Sequence, residues 1–183
     1  MKRIISLLAL SLLAAPSFAQ KMGTRSGQIS FFSHTPVEDI SAKNNDAAVV
    51  VDSRSGDVAI AVPIRSFRFE KQLMEEHFNE NYMESAKYPK AEFKGRITNA
   101  NEVQWTKDGS YPVKVLGNMT MHGVTREVSI PATIVVAGGK AAAQAKFPLR
   151  LADYKIEIPS MVASKISESV TVSVNVPMQS LAR

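Results

Sequence analysis

Cysteine is absent from this 183-residue chain. That removes disulfides, thiolate metal sites, thiol redox chemistry and cysteine nucleophiles together. Histidine is scarce: only His34, His77 and His122 occur. No two of them stand at the i, i+4 spacing of a helical metal site or at the short spacing of a strand-borne one. No glycine-flanked serine of the nucleophile-elbow kind is present. Glu75 and Glu76 are adjacent and diverge on a helix, and Asp52 and Asp57 flank a turn, as aspartates commonly do. Blocks of like charge are missing too. The formal +5 includes Lys2 and Arg3, and the other charges are interspersed along the chain with no block of five or six of one sign. Such scatter describes a solvated surface and carries no nucleic-acid footprint. An enzyme, a hydrolase in particular, is disfavoured.

Long apolar runs are also wanting. The longest, "IISLLALSLLAA" (4–15), follows Lys2 and Arg3 and precedes "PSFAQ". A spanning helix needs roughly 20 apolar residues. The basic start, short apolar stretch and small Ser17 and Ala19 form the pattern of a secretory signal over residues 1–19, cleaved after Ala19. Residues 20–183 are then expected as one domain, periplasmic or secreted, with no stable membrane insertion and enough chain to bury a core.

What the chain does have is period-two alternation, the mark of half-buried strands. Eight segments carry it: "GQISFFSHT" (27–35), "DAAVVVD" (46–52), "GDVAIAVPI" (56–64), "AEFKGRITN" (91–99), "YPVKVLGNMTM" (111–121), "TREVSIPATIVV" (125–136), "KAAAQAKFPLRL" (140–151) and "SESVTVSVNVPM" (167–178). Ser55-Gly56, Asp108-Gly109 and Gly138-Gly139 punctuate them. The exception is residues 66–89. There Phe69, Leu73 and His77 fall four apart, as do Met74 and Phe78, which predicts one amphipathic helix of about ten to twelve residues, a short turn near Tyr82 and Met83, and a stop at Pro89. The pattern predicts an all-β fold, an eight-stranded antiparallel barrel with one helical insertion, since closure removes exposed edges. A two-sheet sandwich is the alternative that strand spacing leaves open.

In "MHGVTREVSIP" (121–131), His122-Gly123 reads as the tip of a two-residue hairpin, which needs positive φ. Counting outward pairs Met121 with Val124, Met119 with Arg126 and Val115 with Ile130. One face then carries Val115, Gly117, Met119, Val128 and Ile130, while the other is mainly polar. A one-residue slip would mix the two faces, so this register is favoured. His122 is a turn residue at the rim.

The apolar faces define an expected lining. Val58, Ile60, Val62 and Ile64 come from the third strand and Phe93 from the fourth. Val115, Met119, Val128 and Ile130 come from the hairpin, Ala143, Phe147 and Leu149 from the seventh strand, and Val172 and Val174 from the eighth. Phe69, Leu73 and Phe78 on the helix are expected to face the contents. Gly95, Gly117, Ala132, Ala143 and Ala145 are small inward positions, which favours a void; the alternative is that they sit where the sheet curls or bulges tightly. An interior so poor in polar groups suits a hydrocarbon, each buried methylene contributing about 0.8 kcal/mol. Arg126, inward and near the tip, is a candidate for a ligand's polar end, with a solvent-reaching rim arginine as its alternative.

The stretches "EHFNENYMESAKYPKAEFKG" (76–95) and "GNMTMHGVTREVSIPA" (117–132), with "FPLRLADYKIEIP" (147–159) and "FFSHTPVEDISAKN" (31–44), resemble the YceI-like family of bacterial exported proteins over nearly all of residues 20–183. The helix segment is shorter here than in longer members. The resemblance implies a lipocalin-like eight-stranded barrel that binds a polyisoprenoid or other long-chain lipid, without a cofactor. A homodimer is compatible with it, and a filled barrel acting as a stress-related structural or interaction protein is the rival reading.

Overall fold

The computed structural model of the protein describes residues 21–181, so the signal-like segment lies outside the described residues. Eight long strands close on themselves. They are β1 (Lys21–His34), β2 (Asp39–Asp52), β3 (Asp57–Pro63), β5 (Lys90–Ile97), β6 (Gly109–Met121), β7 (Val124–Ala137), β8 (Lys140–Arg150) and β9 (Ser169–Ser180). A two-residue strand, β4 (Arg68–Phe69), pairs with β2 at Ala42 and Lys43. The order β1-β9-β8-β7-β6-β5-β3-β2 returns to β1 through the β1–β2 pairing, and every ladder is antiparallel. The fold is therefore a barrel and not a sandwich.

The first two strands are longer than alternation predicts. β2 begins at Asp39, through the polar run "DISAKNN", because β1 runs beside it from Lys21↔Asp52 to His34↔Asp39. Pairing partners, not side-chain pattern, set strand length here. Fully buried Asn44 sustains the polar stretch: its Nδ2 donates to the Pro63 carbonyl (2.7 Å) and its Oδ1 accepts from the Asp46 N–H (2.8 Å).

The helix is shorter than expected. Helix α1 (Gln72–His77) passes into a single π-helical turn, Phe78–Tyr82. Phe69 lies outside it, on β4. Left-handed Glu84 (φ 43°) follows the π turn, so the helical stretch stops before Pro89. Met83 N–H donates to the Phe78 carbonyl and Ser85 N–H to that of Asn79, which satisfies its last carbonyls.

One seam of the barrel is incomplete. β7 and β8 pair only from Ala132↔Ala145 to Ala137↔Lys140. Pro131 and Pro148 stand just beyond and remove a donor from each strand, so the ladder ends there. Residues 124–131 and 146–150 are strands paired on one side only. The 3-10 turn Leu151–Tyr154 packs alongside β7, where Arg126 Nε donates to the Asp153 carbonyl (3.0 Å).

The two ends differ. At one, Val49, Val51, Ile97, Val103, Val113, Ile134, Val136, Val176 and Met178 form a buried cluster, with Trp105 and Tyr111 packed against it. This is a packed floor. The other end gathers the 35–38 turn, the β3–β5 connection, the β6–β7 tip and the long 151–168 connection. There Ile64, Met83, Tyr154 and Ile156 form a smaller cluster.

Candidate functional site

Between the floor and the loop end lies a cavity of about 370 Å³. Its walls follow from strand alternation: every second residue turns inward, and those residues are mostly branched aliphatics. Val58, Ile60 and Val62 of β3 line it with Ile64 just beyond, as do Phe93 of β5 and Val115 and Met119 of β6. Ile130 of β7, Ala143, Phe147 and Leu149 of β8, and Val172 and Val174 of β9 complete the predicted wall. Phe69 and Phe78 reach it from β4 and the π turn.

Three predicted residues stand elsewhere. Leu73 is 61% exposed and points away from the interior, because α1 starts at Gln72 and turns Met74 and His77 to the cavity instead. Arg126 is exposed and held by the Asp153 carbonyl, outside the wall. Val128 shares Ile130's side of β7 but sits two residues further from the β8 ladder, half-exposed and clear of the cavity.

The small inward positions divide. Ala132, Ala143 and Ala145 line the void. Gly95 and Gly117 do not: they face each other across β5 and β6, and a Cβ on Gly117 would fall on the Gly95 Cα and the Lys94 carbonyl. There the backbones pass too closely for any side chain. The void and the tight curl are both present, carried by different residues, and the centre is not filled.

Alternation in β1 and β2 also turns Ile29, Phe31, Val49 and Val51 inward, a signal present in the sequence but not extended to lining residues. Phe31 and Phe67 join Phe69 and Phe78 in an aromatic group. Phe31 lies 5.6 Å from Phe67 and Phe78 and 5.8 Å from Phe69 by ring centroid, and Phe69–Phe78 is 5.1 Å. Val162, Lys165 and Ile166 come from the irregular 151–168 connection, which has no period to read.

Polar groups on the wall are few, and three of them are engaged within the chain. Ser33 Oγ accepts from the Ser167 N–H (2.9 Å), Glu38 pairs with Lys71 (3.2 Å), and Glu92 pairs with Lys90 (2.9 Å). The Lys90 hydrogen bond holds the Glu92 carboxyl below its ordinary range. Burial pushes the Tyr82 phenol up, so it stays neutral. His77 and Lys165 line the cavity yet are exposed, which places its mouth at the loop end. Among the described residues no cluster of three or more His, Asp or Glu could hold a metal, and no helix is long and apolar enough to cross a membrane. Chemically, the site can surround an apolar chain with aliphatic and aromatic side chains, its few polar groups interspersed among them.

The rim holds His122, with φ 50° beside Gly123 at 74°, at the tip of the β6–β7 hairpin. Its Nδ1–H donates to the Tyr154 carbonyl (3.1 Å), its Nε2 meets Glu84 (2.8 Å), and Tyr88 packs edge-on at 4.9 Å. His122 is a structural corner, with partners that the hairpin pattern alone did not reveal.

The sequence profile of the YceI-like domain matches residues 19–178. No curated protein sequence matches the chain. Among solved structures, the chain is similar to a polyisoprenoid binding domain from Saccharophagus degradans implicated in plant cell wall breakdown, at 15% identity and TM-score 0.77, covering 90% of this chain and 99% of that one. It is also similar to BcnA of Burkholderia cenocepacia (15%, TM-score 0.68, 84% and 96% covered). A third likeness is to the YceI protein of Campylobacter jejuni (19%, TM-score 0.63, 82% and 90% covered).

Proposed function

The chain belongs to the YceI-like family, and we propose that it is an exported binding protein, not an enzyme, which shields one isoprenoid-type chain inside its barrel. The observation that carries this is the cavity itself, about 370 Å³ and walled by aliphatic and aromatic side chains from all eight long strands. Ligand sites commonly occupy roughly 300–1,000 Å³, so this volume suits one chain of modest length. At about 0.8 kcal/mol per buried methylene, a short hydrocarbon would gain ample affinity without a single hydrogen bond. The mainly apolar wall gives a sugar or nucleotide few groups to orient it. The Saccharophagus degradans domain, described as polyisoprenoid binding, supports the ligand class, and the leader-like residues 1–19 support export to the periplasm or beyond.

Native mass spectrometry and solvent extraction of protein purified from its own host test this reading. A stoichiometric non-polar adduct is expected. In Ala143→Phe the new ring would project into the void, so the adduct should disappear while the circular dichroism stays that of a barrel. Protein that leaves its host empty and takes up no added isoprenoid alcohol would overturn the reading. So would undiminished loading of a folded Ala143→Phe variant.

A further inference from the structure

The three most exposed large apolar side chains of the described residues are Met161, at 90%, and Val37 and Leu73, at 61% each. They come from three separate segments, and each is the chain neighbour of a residue that lines the cavity: Met161 of Val162, Val37 of Glu38, Leu73 of Met74. The segments converge. Lys71, at the start of α1, pairs with Glu38 (3.2 Å), and Ser167 N–H donates to Ser33 at the end of β1 (2.9 Å). The other exposed large apolar residues, Phe32, Val50 and Leu116, are only 38–43% exposed and lie on strands. The strongest apolar exposure is thus concentrated around the mouth.

We propose that this mouth docks onto an electrically neutral lipid surface, and that the bound chain passes between bilayer and barrel there; the second clause rests on the carrier reading above. Three prongs separated by charged residues make a poor protein interface, which needs a contiguous desolvated core. They suit a lipid interface, into which single apolar side chains insert while polar neighbours stay among the headgroups. Charge decides which lipid. Arg68 is paired with Glu75 (2.6 Å), Lys71 with Glu38, and His34 is hydrogen-bonded to Asp39. Asp153, Lys155, Glu157, Lys165 and Glu168 of the 151–168 connection mix both signs. That leaves no basic cluster of the kind an anionic leaflet attracts. Docked this way, the apolar lumen opens directly onto the hydrocarbon, and a chain would cross without meeting water.

The test uses the chain from Gln20 onward and phosphatidylcholine vesicles carrying geranylgeraniol. Flotation reads docking, and retained geranylgeraniol reads transfer. Wild type should float with neutral vesicles and gain nothing from added phosphatidylglycerol. Leu73→Glu and Met161→Glu should each lower flotation by about tenfold, as expected for loss of one inserted side chain, and slow loading from vesicles. Loading from detergent-dispersed geranylgeraniol should be unchanged. The uncharged Met161→Gln variant should follow Met161→Glu, and the flank variant Leu116→Glu should behave as wild type. No flotation of wild type, dependence on anionic lipid, or an equal loss in Leu116→Glu would overturn docking. Loss of a concentration-dependent dimer in the rim variants with flotation intact would assign the face to a second copy instead. Failure to load from detergent as well would overturn transfer together with the carrier reading, whereas flotation judges docking independently.

Discussion

His122 and Glu84 are 38 residues apart in sequence, yet the His122 Nε2 lies 2.8 Å from the Glu84 carboxylate, and both residues hold left-handed backbones, at φ 50° and 43°. The contact joins the β6–β7 tip to the turn after the π-helical segment. The His122–Tyr154 hydrogen bond adds the 151–156 segment to the same knot. A carbonyl and a carboxylate both accept, so each ring nitrogen of His122 faces an acceptor contributed by a distant segment.

His122→Gly keeps the turn, because glycine adopts positive φ freely, but loses both hydrogen bonds and the Tyr88 contact. We expect a loss of about 1–2 kcal/mol in urea unfolding. His122→Val should cost more, since a β-branched residue resists that backbone. A glycine variant as stable as wild type would show that the knot holds nothing together.

Gly117→Ala and Gly95→Ala place a methyl against the neighbouring strand's backbone where β5 and β6 pass closely. Each should lose up to about 3 kcal/mol, the cost of overpacking. Gly138→Ala is the comparison: of the three it alone has positive φ, at 55°, and nothing lies within 4 Å of the added carbon, so about 1 kcal/mol of backbone strain is the whole cost. Equal urea midpoints for Gly117→Ala and Gly138→Ala would contradict the close approach.

Arg126→Ala should leave lipid retention unchanged, because its guanidinium serves the Asp153 carbonyl outside the cavity wall. Its effect should appear instead as faster amide hydrogen exchange across residues 151–155. A drop in retained lipid with unaltered exchange would restore the ligand-contacting role.

Asp57 gives a pH dependence. The Ser55 hydroxyl (2.7 Å), and then Arg96 (2.8 Å), hold its carboxyl below the ordinary aspartate value. A lowered folded-state value means that ionised Asp57 stabilises the fold above its unfolded value and that this contribution is lost as pH falls through the folded one. Asp57→Asn should therefore be less stable than wild type at neutral pH, and the two unfolding curves should converge under strongly acidic conditions. A stability difference that persists unchanged in acid would rule out this linkage.

Much of this was legible locally. The pairing counted outward from His122-Gly123 is the observed register from Met121↔Val124 to Val115↔Ile130, because a two-residue turn and a two-residue side-chain period leave no freedom. Most of the cavity wall followed from the same alternation. Leu73 was misplaced because a four-residue spacing from Phe69 assumed helix where β4 intervenes. Arg126 and Val128 were placed inward by face, but a face says nothing of where a neighbouring strand stops.

The strands, most of their inward faces and the hairpin corner were thus readable along the chain, since all of these depend on spacings of two to four residues. The folded barrel alone brings Gly95 against Gly117 while Ala143 faces empty space, sets Pro131 and Pro148 at the end of the same ladder, and gathers Met161, Val37 and Leu73 around one opening. Those relations join residues tens of positions apart, and barrel closure, not local pattern, sets the distances between them.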